Sequence, residues 1–382
     1  MTSPGAAAGP KAGLEGVVAT SSAICHIDGG QGVLAYAGHD IHDLAREASF
    51  EEVCYLLWHR RLPSRPELGN LLSDLAAARR LPEAVLRLMR SLPPGNAMDA
   101  LRTLVSALAH SDRDVDDRSP AAAYRTAVRL TAQVGSVVAT WGRLNAAGGV
   151  IEPDPALGHA ANFLLLLTGQ RPSELEARAL DVALILHADH ELNASTFAAR
   201  VTAATLSDLH SAAVAGIGAL KGPLHGGANA EVMRMLLEIG ADADDARVER
   251  TVRDMLARKV KVPGFGHRVY RTEDPRATHL RRMSQQIGER SGNTRWYEMS
   301  RRIEAVMKAE TKIDANVDFY SASTYYMLGI PMELFTPVFA VSRIAGWTAH
   351  VLEQYANNRL IRPRAEYVGP AYPQPFTPLD GR

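Results

Sequence analysis

The sequence predicts an all-α protein of two helical domains with a small β segment near its N-terminus. Three observations carry this expectation. After Ile41 nearly every apolar run repeats with helical rather than alternating spacing. The alternating, β-branched stretches are confined to residues 13–41, where VVATSSAI and VLAYAGHDI flank the turn DGGQG. A glycine-rich stretch over 216–229, GIGALKGPLHGGAN, then separates Ala-rich apolar helices from shorter, more charged ones.

The elements follow in chain order. Residues 1–12 are rich in Ala, Gly and Pro without an apolar signal core, and read as a disordered arm. Ser49 and Glu52 form a capping box that opens FEEVCYLLWHRRL, and Pro63 ends it. Helices are expected over Ala97–His110 and Pro120–Leu144, the second capped by Ser119; the acidic SDRDVDDRS between them reads as a solvated loop. Ser173 and Glu176 box the start of SELEARALDVALILHADHEL, whose middle is apolar almost all round and so buried. Ala194–Ala215 is helical and Ala-rich. The glycines that follow argue for loop, since each costs roughly 1 kcal/mol against Ala in a helix.

Ala230–Ile239, Ala246–Ala257, Arg276–Arg290 and Thr294–Ala309 are amphipathic and more charged, marking a smaller domain over 222–334. Phe335–Asn357 is a long apolar helix that returns to the large domain, 13–221 with 335–382. Leaving and re-entering a large domain implies hinge closure.

Composition narrows the function classes. The 42 basic and 42 acidic side chains balance, which gives no electrostatic case for nucleic acid or an anionic membrane. The longest apolar runs fall short of the ~20 residues that a membrane span needs. Cys25 and Cys54 are the only cysteines, too few for a disulfide framework and in keeping with a reducing cytoplasm.

Three histidine settings and one carboxylate stand out. His225 is flanked by glycines just before a helix start near Asn229, where the positive helix end disfavours imidazolium and leaves a neutral N–H donor; a plain glycine hinge is the alternative. His267 follows PGFG among Lys259, Lys261, Arg268, Arg271 and Arg276, which reads either as an anion-binding concavity or as a solvated basic loop. His187 and His190, at the end of the buried helix, either cap carbonyls or bind an anionic oxygen as a cation. Asp318 sits among Val317, Phe319 and Tyr320, which suits a desolvated base or a helix N-cap. Arg343 interrupts an apolar helix with no acid one turn away, so a buried guanidinium there needs an anionic partner from elsewhere. Arg359, Arg362 and Arg364 form a further basic cluster. No Ser or Cys lies in a nucleophile setting, and no metal-ligand spacing occurs. The set suits proton abstraction beside a carbonyl on an anionic substrate.

The segments HADHELNAST, KGPLHGGAN, PGFGHRVYRTEDPR, NVDFYSAS, SRIAGWTAHVLEQ and RLIRPRAEY, in this order, resemble the citrate synthases over nearly the whole chain. The likeness is to the short bacterial type, a group that also includes 2-methylcitrate synthases. It implies a homodimer that condenses acetyl-CoA with oxaloacetate, with no permanently bound cofactor and no metal. His225, His267 and Asp318 would be catalytic: His225 holds the thioester carbonyl, Asp318 removes the methyl proton and His267 donates to the ketone. His190, Arg276, Arg343 and Asn193 would bind oxaloacetate, with Arg362 acting from the partner subunit. Lys261, Pro263, Gly264, Phe265, Gly266 and Arg271 would hold CoA. The alternatives are a 2-methylcitrate synthase using propionyl-CoA and, more remotely, a non-catalytic CoA-binding homologue.

Overall fold

A computed structural model describes residues 12–14 and 16–382, so the expected arm over 1–12 lies outside the described residues but for residue 12. Strand β1 (Cys25–Asp28) pairs antiparallel with β2 (Val33–Tyr36), from Cys25 opposite Tyr36 to Asp28 opposite Val33. A short β3 (His39–Asp40) extends the sheet from β2. The hairpin forms, but not with the strand expected over 17–24: only residues 25–28 lie opposite β2, and Val17 and Val18 stay exposed.

Helices α1 (Ile41–Glu47), α2 (Phe50–His59), α3 (Arg65–Ala78) and α4 (Glu83–Ser91) follow. The Ser49–Glu52 capping box is present, but α2 ends at His59 on left-handed Arg60 (φ 59°), before Pro63 acts. After α5 (Ala97–Leu108) and before α6 (Pro120–Asn145), the acidic segment is not a solvated loop. Asp112 and Asp114 are buried and gripped by Arg129, with Arg125 also on Asp114. Opposite charges a few residues along the next helix draw the segment inward, which composition alone hides.

Next come α7 (His159–Thr168), α8 (Glu174–His187), α9 (Ala194–Ala204) and α10 (Leu209–Leu220). The single helix expected over 194–215 is two, because Leu206 turns left-handed (φ 63°) and Asp208 caps a new start by accepting from the Ser211 N–H. Gly216 and Gly218 belong to α10 rather than to a loop. At Gly216 a Cβ would meet the Trp347 indole at 2.9 Å, so packing outweighs the weak helix propensity of glycine. The glycine loop shrinks to residues 221–227.

Helices α11 (Ala228–Ile239), α12 (Asp245–Ala257), α13 (Ala277–Ser291), α14 (Arg295–Thr311) and α15 (Val317–Met327) pack chiefly on one another. They meet the rest mainly where α13 touches α8 and α11 touches α16 (Phe335–Ala356), which is buried along most of its length. Among the described residues no helix is long and apolar enough to cross a membrane.

Candidate active site

Helix α8 stops at His187, so His190 leaves the helix instead of sharing its face. His187 lies 2.8 Å from the Ala183 carbonyl through Nδ1 and caps it as a donor. His190 is buried, with Nε2 3.1 Å from the Tyr270 hydroxyl. Of the two alternatives His187 takes the carbonyl-capping one, and neither ring is held as a cation. Burial, then the charge of Arg276, push His187 down to about 3 and His190 well below the usual range.

His225 lies in the 221–227 loop and faces the first turn of α9, not the start of α11 that the sequence suggests. Ser195 presents both its backbone N–H (3.3 Å) and its hydroxyl (2.8 Å) to His225 Nε2. Asn193 Oδ1 lies 2.7 Å from the same hydroxyl, and the Trp347 N–H donates to it at 3.1 Å. With the hydroxyl turned to Nε2 the ring proton sits on Nδ1; with it turned to Asn193 the proton sits on Nε2. The orphan donors of a helix N-terminus favour an accepting Nε2. Burial foremost, then Arg343, lowers His225 to about 4, so the ring is neutral.

His267 is neutral for a similar reason. Burial and Arg276 hold it at about 4. Its Nδ1 accepts from the Val269 N–H (2.9 Å) and the Tyr270 N–H (3.2 Å), which leaves Nε2–H as a donor. The rings of His190 and Tyr270 lie 5.3 and 4.8 Å from it, centre to centre.

Asp318 is not the cap of α15. Asn316 is, its Oδ1 accepting the Asp318 N–H at 3.0 Å, and Asp318 is the second helical residue. Burial raises its carboxyl to about 6, helped by Asp274 and opposed by Arg276, Arg343 and Lys261. The PGFG loop holds this helix start in place. Gly266 N–H donates to the Asp314 carbonyl, and Asn316 N–H to that of Gly264. Gly264 adopts φ 81° with its Cα against Phe319 and Val232, where a Cβ would meet side chains at 2.7–2.8 Å. Phe265 is buried on Phe319, 4.6 Å between ring centres, so its side chain is core. The Gly266 N–H is occupied too, contrary to an open concavity of N–H groups.

Arg276 is buried in a two-pronged contact with Asp274, at 2.9 and 2.8 Å, and Asp274 also accepts the Val317 N–H at 3.1 Å. Arg343 differs. It is 1% exposed, donates from Nε to the His187 carbonyl at 2.7 Å and lies over the Phe339 ring. Among the described residues no carboxylate stands within ion-pair distance of it, and the one acting on it most is Asp189. A buried guanidinium so placed is suited to an incoming carboxylate.

Arg276 and Arg343 both act on His187, His190 and Asp318, while His225 feels Arg343 and His267 feels Arg276. Other candidates stand apart. Asn193 caps α9, with Oδ1 on the Thr196 N–H and Nδ2 on the His190 and Glu191 carbonyls. Pro263 is half-buried; Lys261, Arg271 and Arg362 are exposed, although the Lys261 charge reaches Asp318. Sequence reading missed Ser195, Tyr270, Asp274 and Trp347. Of these only Asp274 left a signal, two residues before Arg276 across a proline. Among the described residues no three His, Cys, Asp or Glu side chains are placed to hold a metal.

A family model described as citrate synthase, C-terminal domain, matches residues 13–364. The chain is 52% identical over 372 residues to Citrate synthase 2 of Bacillus subtilis (strain 168), covering 97% of this chain and 98% of that one. A Citrate/2-methylcitrate synthase of the same organism is 42% identical over 362 residues, covering 94% and 96%. The crystal structure of citrate synthase from Pyrobaculum aerophilum superimposes with a TM-score of 0.90 at 41% identity, covering 97% of this chain and 95% of that one.

Proposed function

The chain belongs to the citrate synthase family of acyltransferase-type enzymes, and from that premise we propose that it condenses acetyl-CoA with oxaloacetate and water, giving citrate and CoA. The observation that carries this reading is the pairing of two neutral histidines with one raised carboxylate in the field of two buried arginines. Asp318 takes a proton from the thioester methyl, being basic enough at neutral pH yet partly stripped of water. His225 steadies the developing enolate by donating from Nδ1, the arrangement in which Ser195 addresses Nε2. The enol carbon then bonds to the ketone carbon of oxaloacetate, and the electron pair of the C=O bond moves onto oxygen. His267 Nε2–H donates to that oxygen. Water next cleaves the thioester of citryl-CoA.

Arg343, Arg276 and His190 hold the oxaloacetate carboxylates, and Asn193 acts by capping α9, whose first turn carries Ser195. Lys261 and Arg271 face the CoA phosphates, and Pro263, Gly264 and Gly266 shape the loop that carries them; Phe265 supports the loop from the core. Acetyl-CoA is a co-substrate, and no cofactor stays bound. Residues 222–334 act as the small domain that closes over oxaloacetate before thioester chemistry begins, keeping water out until it is needed. The self-contained packing of α11–α15 supports that division.

A homodimer is supported by the chain beyond α16. Residues 357–378 form no helix or strand and leave Leu360, Tyr367, Val368, Tyr372 and Phe376 exposed, an apolar edge suited to a second copy. Arg362 lies on it and completes the partner's site. The cytoplasm is the compartment this reading assigns.

The test is steady-state kcat/KM with acetyl-CoA and propionyl-CoA, each with oxaloacetate. Citrate formation with acetyl-CoA preferred is expected. A tenfold advantage for propionyl-CoA overturns the choice in favour of the 2-methylcitrate reading, which the Citrate/2-methylcitrate synthase relative supports. No turnover with either would favour a non-catalytic homologue.

A further inference from the structure

Behind the site runs a buried polar network that the reaction does not use. Its hub is Arg200 of α9, 3% exposed. One Nη1 group donates to Glu353 Oε2 at 2.7 Å and to His350 Nδ1 at 2.9 Å, while Nε donates to Gln354 Oε1 at 3.2 Å. Three polar side chains within about one turn of α16 thus converge on one guanidinium. A guanidinium only donates, so His350 Nδ1 is an acceptor and its proton sits on Nε2. That Nε2–H faces the Asp189 carboxylate at 3.3 Å, with both side chains fully buried. Asp189 adjoins His190 in sequence and is the carboxylate acting most on Arg343.

The other leg runs outward. Gln354 Nε2 donates to Asn358 Oδ1 at 3.0 Å and to the Arg359 carbonyl at 3.3 Å. Asn358 in turn donates to the Ala204 carbonyl at the end of α9. These bonds fix the direction in which the chain leaves α16, three residues before Arg362. Glu353 has its own outside partners, the Ala23 N–H at 2.9 Å and Arg60 at 3.7 Å, and serves to neutralise the hub.

We infer that Arg200 is a positioning residue which, through His350 and Asp189, steadies the oxaloacetate end of its own site and, through Gln354, aims the segment that carries Arg362 toward the partner's site. One side chain then couples two sites of a dimer. The inward leg needs no second subunit. The outward leg rests on the reading of Arg362 given above.

Replacing Arg200 with Met leaves Glu353 without its main cation and is the variant most prone to misfold. Arg200→Lys keeps the charge but cannot span three acceptors, and Gln354→Met and His350→Gln each break one leg. The experiment measures kcat and both KM values for these three, for Arg362→Gln, and for Gln354→Met with Arg362→Gln combined. Trypsin cleavage after Arg359 and Arg364 in the folded dimer reports the arm.

Gln354→Met is expected to speed cleavage and to raise the oxaloacetate KM at least fivefold, with kcat within twofold and the acetyl-CoA KM unchanged. In the double variant the oxaloacetate KM should not exceed that of Arg362→Gln alone by more than twofold. His350→Gln should raise the oxaloacetate KM without faster cleavage, and Arg200→Lys should do both. A purely structural role lowers the amount of active enzyme and leaves KM where it was. An unchanged oxaloacetate KM in Gln354→Met and His350→Gln, with Arg362→Gln impaired, overturns the inference and leaves the dimer reading standing. No effect of Arg362→Gln itself overturns that reading and the outward leg with it.

Discussion

Ser195 sets two groups against a single ring nitrogen of His225, a backbone N–H that donates at 3.3 Å and a hydroxyl oxygen at 2.8 Å. The backbone donor cannot rotate away, so Ser195→Ala still leaves Nε2 accepting and Nδ1 protonated. The expected loss is that of one hydrogen bond, about 1 kcal/mol and so up to about tenfold in kcat, with the oxaloacetate KM unmoved. His225→Ala removes the donor itself and should cost about 10²–10³ in kcat. If Ser195→Ala proves as damaging as His225→Ala, the hydroxyl belongs to the donor set.

The pH profile follows from which groups titrate and which do not. Burial holds Asp318 at about 6 and both His225 and His267 at about 4. A base must be ionised, so kcat/KM for acetyl-CoA should fall tenfold per pH unit below about 6 and stay flat from there to 8. The histidines are neutral donors across that whole range and contribute no limb. A limb near 6.5 that survives replacement of Asp318 by Glu with unchanged midpoint would move the titration to another group.

Raising a carboxylate in the folded state has a cost in stability, and its sign is testable. Asp318 titrates near 6 when folded and near 3.8 when free. Its unfavourable contribution is fully present above pH 6, shrinks as pH falls, and vanishes below 3.8. Because the side chain is only half-buried, solvent screening reduces the effect to about 1–2 kcal/mol. Asp318→Asn should therefore be more stable than the parent at pH 7.5, show no advantage near pH 4, and lose about 10²–10⁴ in kcat. Chemical denaturation at the two pH values checks the first part; a destabilised variant at pH 7.5 would count against a strained base.

How far the sequence alone reaches can be judged residue by residue. The capping boxes at Ser49 and Ser173 lie where their local spacing puts them, because both partners are within four residues. The α9–α10 break was not legible, since it depends on a left-handed Leu206, and neither was the helical Gly216, which exists to admit a tryptophan from 131 positions away. His225 and Asp318 could be singled out from glycines and apolar neighbours. Ser195, Trp347 and Tyr270 could not, because nothing local marks a residue whose role is set by what folds against it.

The acidic segment before α6 is a case where tertiary charge pairing overrides composition. Asp112 is buried against Arg129, with His210 Nε2 3.6 Å away. Asp112→Ala would leave the Arg129 guanidinium partly buried with Asp114 as its remaining partner, and should destabilise the protein by about 3 kcal/mol, with little relief from added salt. Kinetic constants of the folded fraction should not change. A surface-loop value, under about 0.5 kcal/mol, would restore the solvated reading.

Arg343 and Arg276 are both buried, but only Arg276 has a carboxylate in its fork, so removing each has a different effect on the fold without ligand. Removing Arg276 strands Asp274 and the Val317 N–H it holds, so Arg276→Met should lower stability and activity together. Removing Arg343 breaks no ion pair: the His187 carbonyl loses the Nε donor and Asp189 a nearby positive field, while a buried guanidinium with no carboxylate in its fork disappears. Arg343→Met should thus be as stable as the parent or more so without ligand. With ligand the order reverses. Oxaloacetate that binds the folded parent raises its melting temperature by mass action, and the variant should lose that shift along with 2–5 kcal/mol of affinity, a rise of at least thirtyfold in oxaloacetate KM. Melting curves with and without oxaloacetate for the three proteins read both effects at once. An Arg343→Met protein that is less stable alone, yet still gains the full shift with oxaloacetate, would make Arg343 a structural residue and leave Arg276 and His190 to hold the carboxylates.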